Sequence, residues 1–202
     1  TPTPALAFPF VDDMEGGALT AGNWLPSSWE LTTEDAHSPT HAWGVHGQGT
    51  GPDLTLTTAG TIDLSQAACP RVAFWQRYEM WNGFLEASVD GGRNWLLVAG
   101  LSGSQPTWTR SEFDLSNYRS QYFRLRFRFA GNAYGGLCWF VDDVVVDEGP
   151  CALVDWCSLS SPDTLYIGAG SQTGPIVGLV FEQGITNPQG QGPNISAQVG
   201  YG

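Results

Sequence analysis

The chain has 202 residues, with 8 Lys+Arg against 20 Asp+Glu and a formal charge of −12. Nucleic-acid binding through counterion release needs clustered cations, so that partner class is not expected, and no apolar run approaches the roughly 20 residues of a membrane span. Charged residues are only 14%, while 26 Gly and 13 Pro punctuate the sequence, the profile of a secreted all-β protein.

Residues 1–7 open with Thr-Pro-Thr-Pro and read as an N-terminal linker or a mature terminus. From Phe8 to residue 148 the chain alternates short β runs with turn chemistry. The clearest runs are Leu54 to Thr58, Arg71 to Met80, Phe84 to Val89, Trp95 to Ala99, Trp108 to Leu115, Tyr122 to Phe129 and Trp139 to Val146. Helix signals are poor throughout. In Tyr122 to Phe129 the apolar residues alternate with Arg124, Arg126 and Arg128, which predicts a strand with one wet face and one buried face. The run Phe140 to Val146 is apolar on both sides apart from its acids, as a central strand would be. Without any βαβ alternation, this spacing predicts a jelly-roll β-sandwich over 8–148 with a small C-terminal β-strand extension.

After Gly149 the character changes. Residues 149–163 carry Cys151 and Cys157 and read as a stapled connection; 164–202 offers strands at Thr164 to Ile167, Ile176 to Phe181 and Ile195 to Val199. That is too little for a second sandwich, so this part is expected to be a partial β domain or a strand-donating tail. Cys151 and Cys157 are expected to be oxidised, most simply to each other. Cys69 and Cys138 each begin an apolar run, and a bridge between them would tie strands together; four cysteines allow three connectivities.

Ser88-Val-Asp-Gly-Gly-Arg-Asn-Trp95 supplies glycines for positive φ and a carboxylate to accept backbone N–H groups, so Asp90 reads as a hairpin device and not a catalytic acid. The stretch resembles the Asp-box hairpin of secreted β proteins. His37, His41 and His46 lie within ten residues, but Pro39 breaks the helix that a His-x3-His metal pair would need. They are expected to be structural or at the surface. No Gly-x-Ser-x-Gly elbow and no His-Glu-x-x-His occurs, so no enzyme activity is expected.

Read in order, Asp13-Met-Glu15, Ala36-His-Ser-Pro-Thr-His-Ala-Trp43, Thr61-Ile-Asp-Leu-Ser65, Val72-Ala-Phe-Trp75, the hairpin above, Phe113-Asp-Leu-Ser-Asn-Tyr118, Arg124 to Phe129 and Trp139-Phe-Val-Asp-Asp-Val144 form a pattern. It resembles the MAM-like and choice-of-anchor jelly-roll modules of secreted bacterial surface proteins, and the accessory domains, not the peptidase domain, of immune inhibitor A type metallopeptidases. The resemblance implies a non-catalytic extracellular or cell-surface location and a structural Ca²⁺ shared by Glu15 and Asp143, with Asp13 and Asp142 next to it. Two adjacent carboxylates in a central strand need compensation, for which a hard cation is one remedy; the other is that one Asp caps a turn or pairs with an Arg while its neighbour points to solvent.

Nine Trp raise a glycan partner, because rings stack on pyranose faces. Trp24, Trp29, Trp43, Trp81 and Trp108 lie in or beside expected loops and are the candidate ligand platform, whereas Trp75, Trp95 and Trp139 suit inward-facing strand positions. The first functional expectation is a structural or adhesive subunit, a homo-oligomer or filament joined through its C-terminal strands. The alternative is a carbohydrate-binding accessory module of a larger secreted protease or other hydrolase.

Overall fold

The structure is a computed structural model that describes residues 4–47, 52–130, 136–150, 156–161, 170 and 176–181. It divides into two compact units, Thr1–Cys151 and Ala152–Gly202. In order, the elements are β1 (Ala5–Leu6), β2 (Phe10–Asp12), α1 (Ala18–Asn23), β3 (Trp24–Ser27), β4 (Glu30–Thr32), β5 (Ala42–His46), β6 (Leu54–Thr58), β7 (Thr61–Ile62), β8 (Pro70–Ser88), β9 (Leu96–Asp114), a 3₁₀ turn (Ser116–Tyr118), β10 (Arg124–Phe129), β11 (Cys138–Glu148), β12 (Trp156–Ser161) and β13 (Val177–Phe181). The first unit is the expected all-β antiparallel sandwich.

Two 19-residue strands organise it. β8 pairs with β9 along most of its length, while its first half also pairs with β11 and its second half with β10. One arm of a single nine-stranded sheet therefore continues through β11, β5 and β4, the other through β10, β6 and β3, and the two arms face each other as the layers of the sandwich. The sequence reading splits each of these strands in two. The chain instead stays extended and absorbs the bend in register shifts, between Gln76 and Tyr78, Met80 and Gly83, and Leu85 and Glu86, which is how a strand turns a sandwich corner without leaving the ladder. The short helix α1 and the edge strand β3, which carries Pro26 where only β6 needs to pair with it, were also not legible as elements.

Between the two arms lies an aromatic core centred on Phe127. Its ring meets Phe74 at 4.9 Å, Trp139 at 5.6 Å, Trp24 at 6.0 Å and Trp29 at 6.4 Å between centroids. Trp29 and Trp139 contact each other edge-on at 5.5 Å. Such tilted and edge-to-face contacts are favoured by the ring quadrupoles and add to the area buried. This is where Phe127 comes from in sequence: Leu125, Phe127 and Phe129 are the buried half of β10, and Arg124, Arg126 and Arg128 its outer half. β11 is the central strand expected, bonded to β8 on one side and to β2 and β5 on the other.

At one end of the core the buried carboxylate of Asp12 gathers four donors: Met14 N–H at 3.0 Å, the Thr20 hydroxyl at 2.8 Å, Asn23 Nδ2 at 2.8 Å and Trp24 Nε1 at 3.1 Å. A short polar segment thereby tethers the Trp24 ring in the core without leaving its N–H unpaired.

In the second unit β12 and β13 form an antiparallel pair. β12 falls inside the segment that the sequence assigned to a connection. The expected strands Thr164 to Ile167 and Ile195 to Val199 lie outside the described residues, as does the expected Cys151–Cys157 bridge. Of the pairings left open, one between Cys69 and Cys138 does not form: Cys138 is a free thiol, and Cys69 is disulfide-bonded.

Candidate functional site

The histidine-bearing loop makes side-chain and backbone contacts with several elements of the first unit. Residues 34–41 lie as a strap on the outer face of the β5–β11–β8–β9 sheet, and almost every residue of the strap holds a group from another element. Glu34 meets His46 Nε2 at 2.9 Å, and Asp35 pairs with Arg77 and accepts the Trp108 ring N–H at 3.0 Å. His37 stacks on Trp75 with centroids 3.8 Å apart and reaches Asp143 at 2.7 Å through Nδ1.

Beneath the strap, Asp142 is fully buried. Its carboxylate accepts the backbone N–H groups of His37 at 2.8 Å, Ser38 at 2.9 Å and Asp143 at 2.8 Å. The register shift between Asp142 and Val145, with Asp143 at a left-handed φ of 49°, aims both neighbouring acids at the strap. Strict alternation would have sent them to opposite faces. Further along, Glu15 accepts the N–H of His41 at 2.7 Å and of Thr40 at 3.1 Å, together with the Thr40 hydroxyl, and lies 3.2 Å from His41 Nδ1. Asp13 accepts the Glu15 N–H at 3.1 Å and offers its carbonyl to Ser38 Oγ at 3.2 Å.

All four acids expected to hold calcium are thus gathered along one loop. Their oxygens are engaged by N–H, O–H and imidazole groups, and among the described residues no three His, Cys, Asp or Glu side chains converge as a metal cage. The three histidines each meet one acid, at 2.7, 3.2 and 2.9 Å, a role their close spacing beside Glu34 and Asp35 hinted at but did not specify.

Of the platform candidates, Trp24, Trp29 and Trp43 are 1%, 3% and 4% exposed and belong to the core. They cannot present a ring face to a ligand. The hydrophobic demand of a two-layered interior outweighed their place beside turns. Trp81 is exposed at the Met80/Gly83 irregularity, and Trp108 is half-buried on the outer sheet face. Conversely, Trp75 and Trp95, expected inside, face outward: Trp75 lies under His37 and Trp95 under the Arg126 guanidinium at 4.1 Å. Trp139 is inside, donating its ring N–H to Gln76 at 2.9 Å.

The Asp90 hairpin is a closed structural device. Asp90 Oδ1 accepts the N–H groups of Arg93 and Asn94, both at 2.9 Å, and Ser88 Oγ–H at 2.8 Å, while Gly91 and Gly92 take φ of 78° and 95°. Donors from Asn94, then Ser88 and Arg93, hold its carboxyl well below the usual range. The outer arginines of β10 are likewise committed: Arg126 and Arg128 share the Glu86 carboxylate at 2.6 and 2.8 Å, and Arg124 donates to Thr58 O.

No family model matches the chain. It is 24% identical to Bacillopeptidase F of Bacillus subtilis over 166 residues, 73% of this chain and 11% of that protein. The chain therefore spans about a tenth of the length of this curated relative. Among solved structures it is similar to the K3 cleaved adhesin domain of Lys-gingipain from Porphyromonas gingivalis W83, with 17% identity, 70% of this chain and 98% of that one covered, and a TM-score of 0.49. It is similar, too, to the C-terminal family 22 carbohydrate binding module of a Clostridium thermocellum protein, with 10% identity, coverage of 71% and 96%, and a TM-score of 0.49.

The strap has a pH signature. The Thr40 hydroxyl, with the N–H groups of His41 and Thr40, lowers Glu15 from 4.5 to about 2, so its contribution to stability is complete above 4.5 and is lost as pH falls toward about 2. Burial raises Asp142, which acts oppositely: its contribution is complete at acid pH and declines as pH rises through the raised value. Glu15→Gln should accordingly melt below wild type at pH above 4.5, with the gap closing as pH approaches 2. A gap that stays constant over that interval would show that Glu15 is not held as its partners indicate.

Proposed function

We propose that residues 8–148 are a non-catalytic accessory module of a larger extracellular protein and that the module binds glycan. The observation that carries this reading is the share of the match: a sandwich-sized stretch similar to this chain occupies only 11% of Bacillopeptidase F, as a module appended to a larger peptidase would. The chemistry of the surface supports it. The strap and the Asp90 hairpin, where the acids and histidines cluster, commit their side chains to one another, leaving aromatic and planar polar groups on the outer sheet face.

Assembly through the C-terminal strands is a second reading, favoured by one feature of β13: Val177, Leu179 and Phe181, on one face of a two-stranded pair, are 45%, 50% and 43% exposed. A single solution experiment separates the two. Sedimentation of the full chain should give a discrete monomer that is pulled down by insoluble polysaccharide and leaves peptide substrates uncut. Long polymers that ignore polysaccharide would replace the module reading with the assembly reading, and peptide cleavage would overturn both.

Calcium at Glu15 and Asp143 is proposed separately. What supports it is the gathering of Asp13, Glu15, Asp142 and Asp143 along one strap and the hard-oxygen character of these donors; the ion would displace His37 and His41 from their carboxylates. A ligand that binds only the native state raises the melting temperature. Excess EGTA should therefore lower the melting temperature of the protein as purified, and Asp143→Asn should abolish that response. An identical melt with and without chelator, with no metal found by elemental analysis, removes the site.

A further inference from the structure

We infer that the glycan site lies on the outer face of the β8–β9 hairpin around Trp108, His37 and Arg110, and that its ligand is a neutral oligosaccharide of pyranose units. The inference rests on the reading of the chain as a glycan-binding module and adds the place and the ligand class.

The face is held in position before any ligand arrives. Trp108 cannot swing freely, because its ring N–H is bonded to Asp35, and Asp35 is itself anchored by Arg77. The edge of the same ring meets His37 at 6.0 Å, and His37 is stacked on Trp75. Trp75 is thus covered by His37, and the rings of His37 and the half-buried Trp108 lie side by side on the outer face of the sheet. A ring fixed by its surroundings gives up little conformational freedom on binding, so more of its stacking energy appears as affinity.

Beside the rings stands a hydrogen-bonding group of the right shape. Arg110 is directly opposite Trp75 in the ladder, and its side chain is 46% exposed. One of its nitrogens is on Glu112 at 2.8 Å, and Glu112 in turn takes Arg71 at 2.8 Å. The planar fork of a guanidinium has five donors, enough to keep the carboxylate contact and still address a pair of vicinal hydroxyls.

Charge chooses the ligand class. Around Trp108 the cations Arg71, Arg77 and Arg110 are matched by Asp147, Asp35 and Glu112, so these pairs leave no net positive charge to offer a polyanion. The remainder of the chain, at −12 overall, repels one. A neutral pyranose has what the patch needs, an apolar C–H face for the indole and hydroxyl groups for the fork.

Affinity electrophoresis of the full chain against a neutral β-glucan, xylan, galactan and polygalacturonate tests the assignment, with Trp108→Ala, Trp108→Phe, Arg110→Ala and Trp81→Ala compared to wild type. Retardation is expected on a neutral polymer and not on polygalacturonate. Trp108→Ala and Arg110→Ala should each weaken it by at least about tenfold, as loss of an anchoring aromatic or arginine does. Trp108→Phe keeps a stacking face and should fall between, and Trp81→Ala should bind as wild type; thermal melts establish that each variant is folded. Full binding by Trp108→Ala and Arg110→Ala, or loss confined to Trp81→Ala, overturns this site while leaving the module reading intact. Binding to polygalacturonate alone overturns the ligand class. No binding by wild type to any of the four overturns the site and the module reading together.

Discussion

A carboxylate without water is the constraint around which the outer layer of this sandwich is built. Asp142 sits in the middle of the central strand β11 and is fully buried. Left alone there, its charge would cost several kcal/mol. Three backbone N–H groups offset part of that cost, two of them supplied by the strap at His37 and Ser38. The strap is therefore not free to leave the sheet, because its departure would strand the acid beneath it.

The consequences propagate outward. With His37 and Ser38 fixed, the residues on either side reach defined partners: Glu34 and Asp35 toward His46, Arg77 and Trp108, and Thr40 and His41 toward Glu15. A segment with no regular secondary structure thus joins the start of the chain, the central strand and the long hairpin. Its rigidity also sets the orientation of the Trp75, His37 and Trp108 rings. Stability and candidate binding surface are in this sense one network, and a substitution under the strap should be felt at the rings.

What could be read from residue order follows the same physics. The strict alternation in β10 and the two-sided apolarity of β11 were legible, since burial on one face or two leaves a direct mark on sequence. The hairpin at Asp90 was legible because its turn admits few residues. The strap was not: its partners lie up to 106 residues away, and no local pattern encodes a carboxylate that needs N–H groups from a distant loop. For the tryptophans, position beside turns misled for Trp24, Trp29 and Trp43, which the core claimed, and inward alternation misled for Trp75 and Trp95, which instead lie beneath His37 and Arg126. Side-chain volume says that a ring must be covered, and only the fold says by what.

Amide hydrogen exchange at His37 and Ser38 tests the central claim most directly. Both lie in a segment outside any helix or strand, where exchange through local fluctuation is ordinarily fast. If their N–H groups are what keeps Asp142 buried, they must exchange as slowly as the amides of β10 and β11, and Asp142→Ala must release them while the amides of β10 stay protected. Exchange of His37 and Ser38 at the rate of an open loop in the wild-type protein would contradict the account.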